Sequence, residues 1–134
     1  MALSRLCLDT SAYSHFRRGH AEAVDAVTSC RAVVVPAVVL GELRVGFLLG
    51  SRRAENERDL AKFLARDVVD VLDVDDEVSA IYADIVVDLR RAGTPVPTNY
   101  IWIGAVAVRA GVSVLTFDAH FEMMRRVSVR RLLG

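Results

Sequence analysis

Lysine is almost missing from this chain: Lys62 is the only one, and the rest of the basic charge is arginine. Net charge is missing altogether, with 17 basic residues against 17 acidic ones. That balance excludes the strongly basic field on which non-specific nucleic-acid binding depends. Cysteine is scarce, and Cys7 and Cys30 stand too far apart to read as a metal-binding pair. A disulfide scaffold is thereby excluded, and buried thiols in a reducing cytoplasm are expected. No apolar run approaches the roughly 18 residues that span a bilayer, so no membrane association is expected. The first residues lack the long apolar stretch and small-residue cleavage pattern of a signal peptide. A glycine-rich phosphate loop is also lacking, which argues against NAD or ATP as a ligand.

What remains is a chain of 134 residues, read as one domain over 1–134 and large enough to bury a core without staples. Its apolar fraction of 53 % is high for a small soluble domain, and a surplus of that kind is often covered by a dimer or partner interface. The charge is segregated. Asp67, Asp70, Asp73, Asp75, Asp76, Glu77, Asp84 and Asp88 follow one another with no base between them, while arginines cluster as Arg17-Arg18, Arg52-Arg53, Arg90-Arg91, Arg125-Arg126 and Arg130-Arg131. Arginine favours bidentate contacts to phosphate or carboxylate.

Leu3 to Leu8 reads as a buried strand ending at Asp9-Thr10-Ser11, with Ser11 a plausible cap for the helix that follows. A helix near Ala21 to Ser29 leads to the β-branched run Ala32 to Val35, ended by Pro36. Helices are expected over Val38 to Leu49, carrying Glu42, and over Ser51 to Leu64, before a strand at Val68 to Leu72. Asp75-Asp76-Glu77 opens the clearest helix, with Val78, Ile81, Tyr82, Ile85 and Leu89 on one face, Asp84 and Asp88 on a wet face, and Gly93 as the stop. After the proline-containing loop Gly93 to Thr98, Ile101 to Ala110 is apolar all round and must be buried, with Trp102 in the core. Ser113 to Thr116 is a further strand ending at Asp118, and Val127 to Val129 a candidate fifth.

Strands alternating with helices imply a parallel α/β sheet, and such sheets bind ligands beyond the carboxyl ends of their strands. Asp9 and Asp118 stand at two of those ends and Glu42 just past a third. Carboxylates converging from distant sequence are what a hard cation requires, since Mg²⁺ takes oxygen ligands. Asp9 alone would also suit the nucleophile of another strand-end aspartate domain, but Glu42 and the Asn99–Trp102 segment would then go unexplained. The histidines carry less weight. His15 and His20, five apart, suggest different helix faces and surface or cap roles, whereas His120 lies two residues from Asp118.

Four motifs in order carry a resemblance: Leu8-Asp9-Thr10-Ser11; Pro36 with Glu42-Leu43 and Gly46; Gly93 to Asn99 with Trp102-Ile103; and Thr116-Phe117-Asp118 with His120-Phe121. Together they resemble the PIN-domain nucleases, closely the VapC-type toxins of bacterial toxin–antitoxin pairs. The resemblance runs nearly end to end. It implies a single PIN-like domain, an α/β/α sandwich with a central, mostly parallel sheet of four to five strands. It implies a Mg²⁺- or Mn²⁺-dependent ribonuclease acting on structured RNA such as tRNA or rRNA, a homodimer, and a cognate antitoxin in a heterotetramer or larger assembly. By position, Asp9, Glu42 and Asp118 would hold the metal or its waters, with Thr10, Ser11, Asn99 and Thr116 orienting them; Asn99 could equally cap its helix. Arg17, Arg18, His120, Arg125 and Arg126 would meet RNA or antitoxin. The departure is Tyr100, which stands where the family motif has an acidic metal ligand. A neutral phenol is a poor Mg²⁺ ligand, so impaired cleavage is expected, the alternative being an inactive module that binds antitoxin or RNA.

Overall fold

The computed structural model describes residues 4–134. Leu3, expected to open the first strand, lies outside the described residues. Five strands, β1 (Arg5–Leu8), β2 (Ala32–Pro36), β3 (Val69–Leu72), β4 (Ser113–Thr116) and β5 (Val129–Arg131), form one sheet in the order β3-β2-β1-β4-β5. Every neighbouring pair is parallel. Between them run α1 (Thr10–Arg17), α2 (Ala21–Thr28), α3 (Ala37–Leu49), α4 (Arg53–Leu64), α5 (Asp76–Ala92) and α6 (Thr98–Ala110), with a 3-10 turn at Ala119–Met123 after β4. The sheet grows outward from β1 in one direction through β2 and β3, then returns to place β4 on β1's other edge. Right-handed crossovers in opposite directions put their helices on opposite faces, giving the expected sandwich.

The central strands are continuous apolar runs because both faces are covered. Cys7, Leu8, Val114 and Leu115 are wholly buried, and Cys30 is a buried free thiol as well. α5 has both ends written in the sequence: the Asp75 carboxylate accepts from Val78 N at 2.9 Å, and Gly93 takes the left-handed conformation, φ 66°, that closes the helix. α6 is buried along Ile101 and Ile103–Ala107, as its all-round apolarity requires. Trp102 is half-buried, stacked on Tyr82 with centroids 3.7 Å apart.

Several boundaries differ from the sequence reading, and two of them bear on packing and the site. β5 begins at Val129, and Val127, expected within it, is buried in a turn where its N–H donates to Met124 O at 2.9 Å. Burial against α6 gave that valine its apolar character; its methyl reaches the backbone of Gly104. α6 begins at Thr98, capped by the extended backbone of Pro97, so Asn99 lies inside the helix and not at its cap.

Candidate active site

The sheet changes direction between β1 and β4, where register pairs Leu8 with Leu115. Strands there splay their following loops to opposite faces and open a crevice at their carboxyl ends. Asp9 follows β1 directly and Asp118 lies two residues past β4. Glu42 arrives from the second turn of α3, and Asn99 and Tyr100 from the first turn of α6. The sequence-derived candidates form two hydrogen-bonded groups, one of Asp9, Ser11, Thr116, Asp118, Tyr100 and His120 and the other of Thr10, Glu42 and Asn99.

Asp9 is buried at 3 % exposure. Its Oδ1 accepts from Ala12 N at 2.7 Å, which makes Asp9, and not Ser11, the cap of α1. A carboxylate one residue before the helix reaches the free N–H groups directly. Ser11 instead turns inward, its hydroxyl 2.8 and 2.9 Å from the two Asp9 oxygens, and it also receives Phe117 N at 3.0 Å. Thr116 donates to Asp9 Oδ2 at 2.5 Å and receives Asp118 N at 2.9 Å, so one hydroxyl links the two strand-end acids. Burial pushes the Asp9 carboxyl up from its ordinary value; the bonds from Thr116, Ala12 and Ser11 pull against that, and the charge of Asp118 adds to it.

Glu42 is fixed at both oxygens, by Thr10 Oγ1 at 2.6 Å and by Asn99 Nδ2 at 2.8 Å. Asp118 receives His120 N at 2.9 Å and His120 Nδ1 at 2.5 Å on Oδ1, with the imidazole proton on Nδ1, and the Tyr100 hydroxyl at 2.7 Å on Oδ2. Burial would raise the Asp118 carboxyl, but the His120 backbone, the Tyr100 hydroxyl and the His120 ring outweigh it and hold it below the usual range. The Tyr100 phenol is pushed up to about 12, first by its bond to Asp118, then by burial and by the charges of Asp118, Glu42 and Asp9. Its ring stacks on His120 at 4.4 Å and meets Phe121 edge-on.

The donor set suits a hard cation in kind: three carboxylates, each oxygen met by hydroxyl, amide or imidazole donors, and no lysine or arginine pairing with any of them among the described residues. In their present positions, no group of three His, Cys, Asp or Glu side chains among the described residues is close enough to hold a metal ion. The Tyr100 phenol feels the charges of all three carboxylates and donates to Asp118 Oδ2.

Other expectations fall away from this centre. His15 and His20 do not diverge: α1 ends between them, and both rings pack on Phe117, His15 stacked at 3.7 Å and His20 edge-on at 4.9 Å. His20 also caps α2. Sequence spacing missed this cluster because the five-residue interval was measured along a helix that does not continue; Phe117, between Thr116 and Asp118, was its available signal. Arg17 pairs with Asp59 at 3.1 Å and exposed Arg18 lies 3.4 Å from His15. Asp88 is not on a simple wet face: Arg126 Nε donates to it at 2.5 Å, tying α5 to the segment after the 3-10 turn. Arg126 is thus engaged within the chain, whereas the Arg125 side chain is 82 % exposed.

The PIN-domain family profile matches residues 6–127. Over 95 residues, 71 % of this chain and 73 % of the relative, the sequence is 38 % identical to ribonuclease VapC4 of Mycobacterium tuberculosis. Ribonuclease VapC5 of the same organism is 31 % identical over 117 residues, 87 % of this chain and 85 % of the relative. In the crystal structure of VapBC-5 from M. tuberculosis, a member of the VapBC family of toxin–antitoxin systems, one chain superposes with a TM-score of 0.75 at 30 % identity, covering 98 % of this chain and 100 % of that one.

Proposed function

The chain belongs to the PIN-domain family, and on that footing we propose that it is the toxin of a toxin–antitoxin pair, built to hydrolyse phosphodiester bonds in structured RNA such as tRNA or rRNA, with its cleavage chemistry impaired at Tyr100. The observation that supports this reading is the Tyr100 phenol, which donates to Asp118 Oδ2 and is raised by the charges of Asp118, Glu42 and Asp9 together.

In the working form of such a site, Asp9, Glu42 and Asp118 would hold Mg²⁺ or Mn²⁺, an ion that acidifies a bound water and offsets charge growing on the phosphate. The chain's own part is positioning. Thr116 and Ser11 keep the Asp9 carboxylate aimed through two hydroxyls, while Thr10 and Asn99 hold Glu42 from two different helices. His120 fixes one oxygen of Asp118. Tyr100 supplies no negative charge and takes up the other oxygen, which leaves the constellation one acid short. The same observation favours a second reading, an inactive PIN-fold module that still engages antitoxin or RNA.

The partners proposed rest on the relatives, one of which is a member of the VapBC family of toxin–antitoxin systems. Val45, Leu48 and Leu49 form an exposed apolar ridge on α3, of the kind an antitoxin or a second copy would cover. A homodimer, and a heterotetramer or larger assembly with antitoxin, are the forms proposed. No helix among the described residues is long and apolar enough to cross a membrane. The deciding experiment compares cleavage of tRNA and rRNA transcripts by this chain and by Tyr100→Asp, with Mg²⁺ and with EDTA. At least about a tenfold gain in Mg²⁺-dependent cleavage is expected from the restored acid. Equal cleavage by the two proteins sinks the impaired-site account.

A further inference from the structure

The carboxyl-terminal half of α5 and the segment from the 3-10 turn to Arg126 enclose a groove of about 340 Å³. Its floor is Ile85, Leu89, Met123 and Met124, and its rim carries Arg91, Arg125 and Arg126 against a single acid, Asp88. The walls are already built. Met124 is buried at 2 % exposure with its side chain beside Gly104, and the Arg126–Asp88 ion pair ties α5 to the segment after the turn. That pair uses the one acid of the groove. Arg125 reaches Asp88 only at 3.9 Å and its side chain is 82 % exposed, while Arg91 makes no ion pair among the described residues.

We propose that this groove docks an acidic, amphipathic peptide segment of a partner protein, its apolar side chains entering between α5 and the methionines and its carboxylates meeting Arg91 and Arg125. Charge complementarity selects the acidic partner, because two guanidiniums are left over once Asp88 is satisfied. The floor selects a peptide over RNA. Single-stranded nucleic acid is held by aromatic stacking along a basic track, and none of the groove's lining residues is aromatic. Methionine suits a peptide anchor because its unbranched, polarisable side chain adapts to the residue that enters. Met123, a large apolar side chain at 50 % exposure, is the residue this account explains. The proposal does not depend on RNA cleavage, so it survives or fails apart from the nuclease reading.

The test uses the whole chain and three fluorescent probes: a synthetic peptide of repeating Leu-Glu pairs, its Leu-Lys counterpart, and a single-stranded oligoribonucleotide. Binding is followed by anisotropy for the parent, for the double variant Arg91→Glu/Arg125→Glu, and for Met123→Ser, with thermal midpoints to establish that each variant is folded. The Leu-Glu peptide is expected to bind the parent, to lose about tenfold or more in affinity on charge reversal, and to lose less on Met123→Ser. The Leu-Lys peptide is expected to prefer the charge-reversed variant. Failure of the Leu-Glu peptide to bind, indifference of its affinity to both variants, or loss of oligoribonucleotide binding alone on charge reversal would each overturn the proposal.

Discussion

The hydroxyl of Tyr100 donates to Oδ2 of Asp118 at 2.7 Å, so a neutral phenol holds one of the carboxylates that the fold brings to the direction change of its sheet. The bond draws the two acidities apart. The phenol is pushed up to about 12, and Asp118 is held below the usual carboxylate range.

Tyr100→Phe separates the two ways in which this residue would impair the proposed site. Phenylalanine releases Asp118 but supplies no acid, whereas Tyr100→Asp does both. Cleavage of a tRNA transcript with Mg²⁺ is expected to rise little in the first variant and by about tenfold or more in the second. Recovery in Tyr100→Phe equal to that in Tyr100→Asp would make obstruction, and not the missing charge, the cause. In the parent, alkaline difference absorbance should find one phenol ionising near 12 that is lost in Tyr100→Phe.

Asp9→Asn is expected to stabilise the protein at about pH 7 by roughly 0.5–2 kcal/mol. The folded-state pKa of Asp9 is raised, chiefly by burial, so the native protein binds a proton that the unfolded chain releases. Stability therefore falls as pH rises from the unfolded value through the folded one, and the cost persists above that window. Asparagine never ionises and can still accept from Ala12 N. Urea unfolding at about pH 7 and about pH 4 should find the advantage large at the first and small at the second.

Asp88→Asn should behave in the opposite sense. Its carboxyl is lowered, first by the hydrogen bond from Arg126, so the ion pair contributes stability above the unfolded value and loses it as pH falls through the folded one. The variant should be less stable at neutral pH and respond less to acid below about pH 4. An unchanged acid-unfolding curve would count against the clasp between α5 and the Arg126 segment.

Gly104→Ala should cost about 1–3 kcal/mol through overpacking. A Cβ there would stand 2.9 Å from Val127 Cγ2 and 3.4 Å from Met124 Cε. The valine is stiff and buried, so the backbone must yield. In a double-mutant cycle with Val127→Ala, the two costs should be less than additive, because the second change removes the methyl the first one strikes. Additive costs would place the strain elsewhere.

Much of the fold is legible from local pattern. α5 is readable at both ends because Asp75 and Gly93 satisfy the free groups of its first and last turns from within a few residues. β2 ends where Pro36 stops the β-branched run. Asn99 and Ser11 show where such reading fails. Both have side chains that suit a helix cap, but the first donates to Glu42 and the second to Asp9, since nearby carboxylates are stronger acceptors. Asp88 and Arg126, 38 residues apart, offer no local signal at all.

The sequence by itself determined the alternation of strand and helix, the parallel sheet, and which acids stand at strand ends, because apolar periodicity and turn chemistry are properties of neighbouring residues. It also determined that position 100 carries a phenol. Only the tertiary structure decided that β4 returns to the edge of β1, and with it that Thr116 joins Asp9 to Asp118 and that Tyr100 bonds to that second acid. Those contacts depend on the order of strands in the sheet, and distances through space are not written along the chain.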